Sequence, residues 1–224
     1  MKKLLILFLI VGFCGDAYGG MLLGSEVESG SDDLLAWACE DLTAEIFDAT
    51  DGGTIVPVSN GTPSYSFETG VTNDAIQLNS ETWAYVPATD GNNINLNAGT
   101  VEFDIELISG TSSVAHRPWA YSSTDGQFDL RRSSVGETRY GLDIAGASYF
   151  TTTAENIYDG SPHHVVIIWD CAAQTASLTI DTSTYDFSLG STNVPNAGSG
   201  RMYFNGFSLE SSSLSVQYDN VQVR

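Results

Sequence analysis

The chain has 224 residues, with 28 acidic against 8 basic side chains and a formal net charge of −20. A field of that sign repels phosphate backbones and anionic membrane surfaces, which makes nucleic acid and acidic lipid poor partners. The length suits one large domain or two small ones.

Residues 1–19, MKKLLILFLIVGFCGDAYG, read as a signal peptide. Lys2 and Lys3 form a basic start, Leu4 to Phe13 an apolar stretch, and Ala17-Tyr18-Gly19 a small-residue cleavage site. The apolar stretch is too short to span a bilayer as a helix. The chain is therefore expected to be secreted, extracellular or on the cell surface, with no stable membrane span after the signal is removed. Removing Lys2, Lys3 and Asp16 leaves 6 basic and 27 acidic residues, a net of −21. All six basic residues are Arg. Two cysteines remain, Cys39 and Cys171. Export makes their one possible disulfide chemically allowed, and only the fold decides whether their Cα atoms come within bridging reach.

Residues 34–38, LLAWA, read as a short strand, and 41–48, DLTAEIFD, as a helical turn or two. Beyond these, short alternating segments recur between Gly-, Ser-, Thr- and Asn-rich turns. Strands are expected at 75–78, 82–86, 100–107, 113–121, 127–131, 139–144, 148–152, 164–170, 175–180, 183–189, 201–207 and 214–223. They run evenly to the last residue with no linker-like break. This predicts a single domain over 20–224, an all-β, two-sheet antiparallel sandwich or barrel.

In 99–107, GTVEFDIEL, Val101, Phe103, Ile105 and Leu107 share one face and Glu102, Asp104 and Glu106 the other. The first face must meet a second sheet and the acidic one solvent or a ligand. The segment 164–170, HVVIIWD, is apolar on both faces, which predicts a central strand covered on both sides.

Four passages resemble the concanavalin A-like lectin/glucanase superfamily, most closely its laminin-G-like modules. They are GTVEFDIEL at 99–107, DGSPHHVVIIWD at 159–170, TASLTIDTSTYDF at 175–187 and LSVQYDNVQV at 214–223. Pro162 stands where the family often has Trp, and Thr182 where it has Gly. The resemblance implies a jelly-roll sandwich with one convex and one concave sheet, and a poly- or oligosaccharide ligand on the concave face or its rim.

Glu102, Asp104 and Glu106 spell E-x-D-x-E, which also resembles the catalytic strand of retaining β-glucanases in that superfamily. By that resemblance Glu102 is a nucleophile, Asp104 a modulator and Glu106 an acid/base. A retaining pair needs carboxyls about 5–5.5 Å apart. Positions i and i+4 of a strand lie about 13 Å apart at Cα, so the side chains must lean together. Arg117, Trp119, Tyr121, Arg131 and Tyr140 are candidate sugar contacts, by guanidinium hydrogen bond or ring face. The structural alternative puts Trp119 in the core and sets Arg117 against Glu106.

In 214–223, Leu214 and Val216 have the opposite parity to Val221 and Val223, so a bulge or bend is expected around 217–220. Such a place can turn Asp219 toward backbone carbonyls. In the resembling families a metal ties the N-terminal region to this strand. That implies a structural Ca²⁺ on Asp219 with ligands drawn from 30–70, where Glu40, Asp41, Asp48 and Asp51 lie. Three function classes follow: a glycan-binding or adhesion module, favoured by the hairpin and closing strand; a retaining β-glycan hydrolase; and a non-catalytic structural or protein-interaction domain.

Overall fold

The computed structural model describes residues 35–46, 53–59, 61–71, 74–87, 97–110, 116–123, 126–133, 138–144, 147–190, 200–206 and 214–224. The expected signal peptide lies outside them. The described strands are β1 (Leu35–Trp37), β2 (Glu45–Ile46), β3 (Val56–Ser59), β4 (Tyr65–Thr69), β5 (Asp74–Leu78), β6 (Thr82–Val86), β7 (Ala98–Ser109) and β8 (His116–Ser123). The second half supplies β9 (Gly126–Arg132), β10 (Arg139–Ile144), β11 (Ala147–Thr152), β12 (His163–Asp170), β13 (Thr175–Ile180), β14 (Ser183–Ser188), β15 (Gly200–Phe204) and β16 (Ser215–Val223).

They pair into two antiparallel sheets that form a jelly-roll sandwich. One has nine strands, ordered β14-β13-β12-β7-β16-β1-β2, with β5 added to β16 and β4 to β5. The other has seven, ordered β11-β10-β9-β8-β15-β6-β3. Alternation explains the layering. On β7, Val101, Phe103 and Ile105 are buried against the second sheet; Trp119 and Tyr121 of β8, Phe128 and Leu130 of β9, and Tyr140 and Leu142 of β10 face them. Aromatic rings stitch the layers together. Trp169 of β12 meets Phe128 at 4.7 Å and Trp119 at 6.3 Å between centroids, and Phe204 of β15 meets Trp37 at 5.6 Å and Tyr218 at 5.8 Å. The Tyr218 hydroxyl donates to the Pro118 carbonyl at 2.7 Å, so the buried phenol is satisfied across the sandwich.

All twelve strands expected after residue 70 are present, nine of them with shifted ends. Within the segment 41–48 the described residues 41–46 are not helical: Thr43 bridges Thr54, and β2 pairs with β1, Ile46 opposite Leu35. So short a helix is marginal by itself, and the free edge of β1 offers the backbone partners instead. β3 and β4 escaped the alternation pattern. Both lie at sheet edges, where Pro57 of β3 is tolerated. β12 lies inside its sheet, but only one face is covered; His164 and Ile168 are exposed on the other. The bulge in β16 is present. Its register against β7 slips between Asp219 and Gln222, and Asn220 adopts φ 50°.

The expected disulfide does not form. Cys39 and Cys171 are free, buried thiols. Cys39 follows β1 and Cys171 follows β12, and β16 and β7 lie between those strands. Three interstrand spacings put them about 14 Å apart or more, beyond the bridging reach of about 4–7 Å. Burial raises both thiol pKa values, and for Cys39 the nearby Asp219 carboxylate adds to the effect.

Candidate ligand-binding face

The outer face of the seven-stranded sheet carries an ordered row of side chains, one from each strand. Val56, Tyr85, Tyr203, Ala120, Asp129, Asp143 and Ser148 each stand directly opposite the next in register. At about 4.8 Å per strand the row is about 29 Å long. Strand parity places it there: the residues flanking it, such as Ala84, Met202, Phe204, Trp119, Tyr121, Phe128, Leu130 and Leu142, all belong to the core. Beside it runs a second row with Val58 and Trp83 at one end and Arg131, Gly141 and Phe150 at the other. Trp83, Ala120 and Tyr203 form a separate apolar cluster with Val58 and Tyr85 packed against it.

The other half of the face is ionic. Asp129 and Asp143 are cross-strand partners, an unfavourable placement for two like charges. Two arginines offset it. Arg117 Nε donates to Asp129 Oδ2 at 3.0 Å, and Arg131 Nη1 donates to Asp143 Oδ2 at 3.1 Å. The Asp129 side chain is fully buried while that of Arg131 is 36% exposed, so the ionic group runs from the sheet surface out to solvent. The β8–β9 register slips between His116 and Trp119, which lifts Arg117 and Pro118 out of simple alternation. Asp143 Oδ1 is buried and has no hydrogen-bond partner among the described residues. Two more arginines lie on aromatic rings, Arg201 over Tyr85 at 4.7 Å and Arg139 over Phe150 at 5.1 Å. The Phe150 ring has that place because Gly141 has no side chain; a Cβ there would sit 2.5 Å from it.

Arg117 and Arg131 therefore share one face, as sugar contacts must. Trp119, Tyr121 and Tyr140 do not. All three are buried in the core, because they have the parity of Phe128 and Leu142 rather than that of Asp129 and Asp143. Arg117 neutralises Asp129 and not Glu106, which lies in the other sheet. The reading from sequence passed over Trp83, Tyr85, Tyr203, Arg201, Asp129 and Asp143. The signal for them is in segments 82–86 and 202–204, where large apolar residues occupy both parities of a strand.

Glu102, Asp104 and Glu106 occupy the outer face of the nine-stranded sheet. Glu102 pairs with Arg224 at 3.3 Å. Arg224 is bonded to the backbone of Thr100, so Glu102 leans away from Glu106. Between them, Asp104 has both oxygens engaged, Oδ1 with His164 Nδ1 at 2.7 Å and Oδ2 with Asn220 Nδ2 at 2.8 Å. The Asp104 bond raises the His164 pKa against the opposing effect of burial. Glu106 lines a cavity of only about 10 Å³ with Val71, Asp104 and Asp219. Among the described residues, the cavity that Glu106 lines is too small for a sugar ring.

Asp219 is buried, and its Oδ2 accepts the Val71 amide at 3.1 Å. Asp41 Oδ1 accepts the Thr43 amide at 2.6 Å, while Asp48 and Asp51 lie outside the described residues. Among the described residues no three His, Cys, Asp or Glu side chains converge on a point. Calcium takes six to eight oxygens, and part of the expected ligand set lies outside the described residues.

Fold and face together define an antiparallel β-sandwich with one arginine-rich sheet surface. No protein-family model matches the chain, and no curated protein matches it by sequence. Solved structures match by fold. Domain 4 of AbnA, a GH43 extracellular arabinanase from Geobacillus stearothermophilus, in complex with arabinotriose, aligns with a TM-score of 0.67 at 14% identity, over 85% of this chain and 91% of that one. The binding domain of Paraclostridial Mosquitocidal Protein 1 aligns at 0.60 and 12% identity, over 85% of this chain and 48% of that one. A botulinum neurotoxin type C structure, described as interacting with two ganglioside molecules, aligns at 0.62 and 9% identity over 85% and 47%. The chain thus spans about half of each toxin structure. Among the described residues no helix is long and apolar enough to cross a membrane.

Proposed function

We propose that this protein is a secreted or surface glycan-binding module of laminin-G-like type, and that the outer face of its seven-stranded sheet takes the sugar. The observation that carries the reading is that Tyr85 shares one outer sheet face with the Arg117–Asp129 and Arg131–Asp143 pairs. Sugars present C–H faces that suit aromatic rings and hydroxyls that suit carboxylate and guanidinium. This face offers the half-buried Tyr85 ring and the partly exposed Arg131 guanidinium. The arabinotriose-bound and ganglioside-binding structures of similar fold support the reading by analogy. The N-terminal signal supports export. The hydrolase alternative has less support, since Glu102 pairs with Arg224 and both Asp104 oxygens are engaged by His164 and Asn220.

The test is binding of the full chain to a panel of immobilised arabinan, β-glucan, galactan and acidic polysaccharides. Tyr85→Ala and Arg131→Ala should each weaken binding about tenfold or more in protein that circular dichroism shows still folded, whereas Glu102→Gln should bind as wild type and no reducing ends should be released. Glycan binding that survives both face variants, or reducing-end release abolished by Glu102→Gln, would overturn the assignment. A panel with no binder would leave the structural class.

A further inference from the structure

Charge is distributed unevenly over this molecule. The protein is strongly acidic, yet five of its six arginines lie on β8, β9, β10 and β15, adjacent strands of one sheet. Arg132 is buried beside the Tyr158 ring. The other four, Arg117, Arg131, Arg139 and Arg201, belong to the outer face, where the described carboxylates are Asp129 and Asp143. Among the described residues the face is therefore cationic by two charges. The opposite outer face carries Glu102, Asp104 and Glu106.

From this we infer that the ligand is an anionic glycan, a polymer whose sugars carry carboxylates, and that Arg139 and Arg201 select it; this rests on the glycan-binding reading above. Asp129 and Asp143 absorb Arg117 and Arg131. Arg139 and Arg201 are exposed, and among the described residues neither makes an ion pair; each is held against a ring instead. A guanidinium stacked on an aromatic ring keeps its N–H fork for a planar, bidentate acceptor, and carboxylate is the sugar substituent with that geometry. The ring also fixes the long side chain in advance, so less entropy is lost on binding. The two arginines stand on different strands with β9 and β8 between them, so both can be engaged only by a ligand extended across the sheet, as a polysaccharide is. Neutral sugars can accept from guanidinium through single hydroxyls, but only a carboxylate takes the fork bidentately and offsets its charge. The acidic bulk of the protein opposes anions at long range, but at physiological salt its field fades within about 8 Å, while a bound carboxylate lies against the arginine.

The experiment compares two probes with one backbone: oligogalacturonate, and the same oligosaccharide with its carboxyls reduced to alcohols. Each is titrated calorimetrically into the full chain at low and at physiological salt. Oligogalacturonate should bind at least tenfold tighter than the reduced probe, with a preference that shrinks as salt rises. Arg139→Gln with Arg201→Gln should remove that preference, leave binding of the reduced probe unchanged, and keep the wild-type melting temperature. Equal or tighter binding of the reduced probe would overturn the inference while leaving the glycan-binding reading standing. So would a preference that persists in the double variant. Binding of neither probe, together with an empty neutral panel, would overturn both.

Discussion

Gly141 shows how one missing side chain shapes the face. Its neighbour across the strand pair is Phe150, and a Cβ at 141 would meet both the Phe150 ring and the Tyr149 carbonyl at 2.5 Å. Gly141→Ala therefore forces the ring and the backbone to move, and overpacking of that kind costs about 1–3 kcal/mol. The expected result is a lower urea midpoint with an unchanged m-value. Adding Phe150→Ala should recover part of the loss, because one of the two clashes is gone. A Gly141→Ala protein with the wild-type midpoint would show that the close approach does not exist in solution. Asp219 is a second residue with a defined role. Its carboxylate holds the Val71 amide, 148 positions away in sequence. Asp219→Ala leaves that amide without its acceptor, and about 1–3 kcal/mol should be lost. Paired melting curves in EDTA and in millimolar Ca²⁺ test calcium directly. Identical curves remove the metal, whereas a drop in EDTA that vanishes in Asp219→Ala brings in ligands beyond the described residues.

The bulge of β16 is an element whose shape depends on one residue. Asn220 sits at φ 50°, in the left-handed region, and its side chain donates to Asp104 Oδ2 at 2.8 Å. Asn tolerates that backbone better than most residues. Asn220→Gly keeps the backbone at ease but loses the charge-assisted bond, and should cost about 1.5–3 kcal/mol. Asn220→Ala loses the bond and adds backbone strain, so it should cost about 1–2 kcal/mol more. Chemical denaturation of the two variants checks the order; Ala as stable as Gly would mean that the turn relaxes. The bulge was legible because the parity of Leu214 and Val216 conflicts with that of Val221 and Val223. Period-two alternation likewise marked β5 to β16. It could not mark β3 and β4, edge strands whose faces are not sorted into buried and solvent sides, nor show that the partner of β1 would be residues 45–46. The face was half legible for the same reason. Alternation says that Trp119 and Asp129 lie on opposite surfaces only once β8 is registered against β9, and the bulge at Arg117–Pro118 breaks the count. A lone aromatic such as Trp119 cannot be sorted into core or ligand face until register is known, whereas Trp83 and Tyr85 alternate with Ala84 and Val86 in a strand apolar on both sides.

At the scale of the molecule, its three histidines oppose one another across pH. His116 is buried beside the Tyr158 hydroxyl, and burial lowers its pKa to about 4, with Arg132 and Arg117 nearby acting in the same direction. A histidine depressed from 6.5 to about 4 adds stability that is full above 6.5 and is lost as pH falls toward 4, about 3 kcal/mol at about 1.4 kcal/mol per unit. His163 behaves the other way. Burial disfavours its charge, but Asp181 at 2.8 Å and Asp159 at 3.2 Å outweigh burial and raise its pKa. His164 is raised by Asp104. The stability that these two add is full below 6.5 and is lost as pH rises through their raised folded values. Asp159 and Glu155, both lowered despite burial, by hydrogen bonds in which Ser161 and Ser183 lead, sharpen the acid side: their contribution is lost as pH falls below about 4. Unfolding free energy should therefore be greatest near pH 6–7 and decline in both directions. Asp181 ties the start of β12 to the β13–β14 turn through the His163 ring and the His164 amide. Asp181→Asn removes the charge and should flatten the alkaline decline while leaving the acid decline in place. His116→Gln should do the reverse, at a general cost in stability from lost packing. Urea titrations from pH 4 to 9 on the three proteins read both limbs. A wild-type profile that rises steadily to pH 9, or an alkaline limb unchanged in Asp181→Asn, would show that the His163 bridge is not closed in solution.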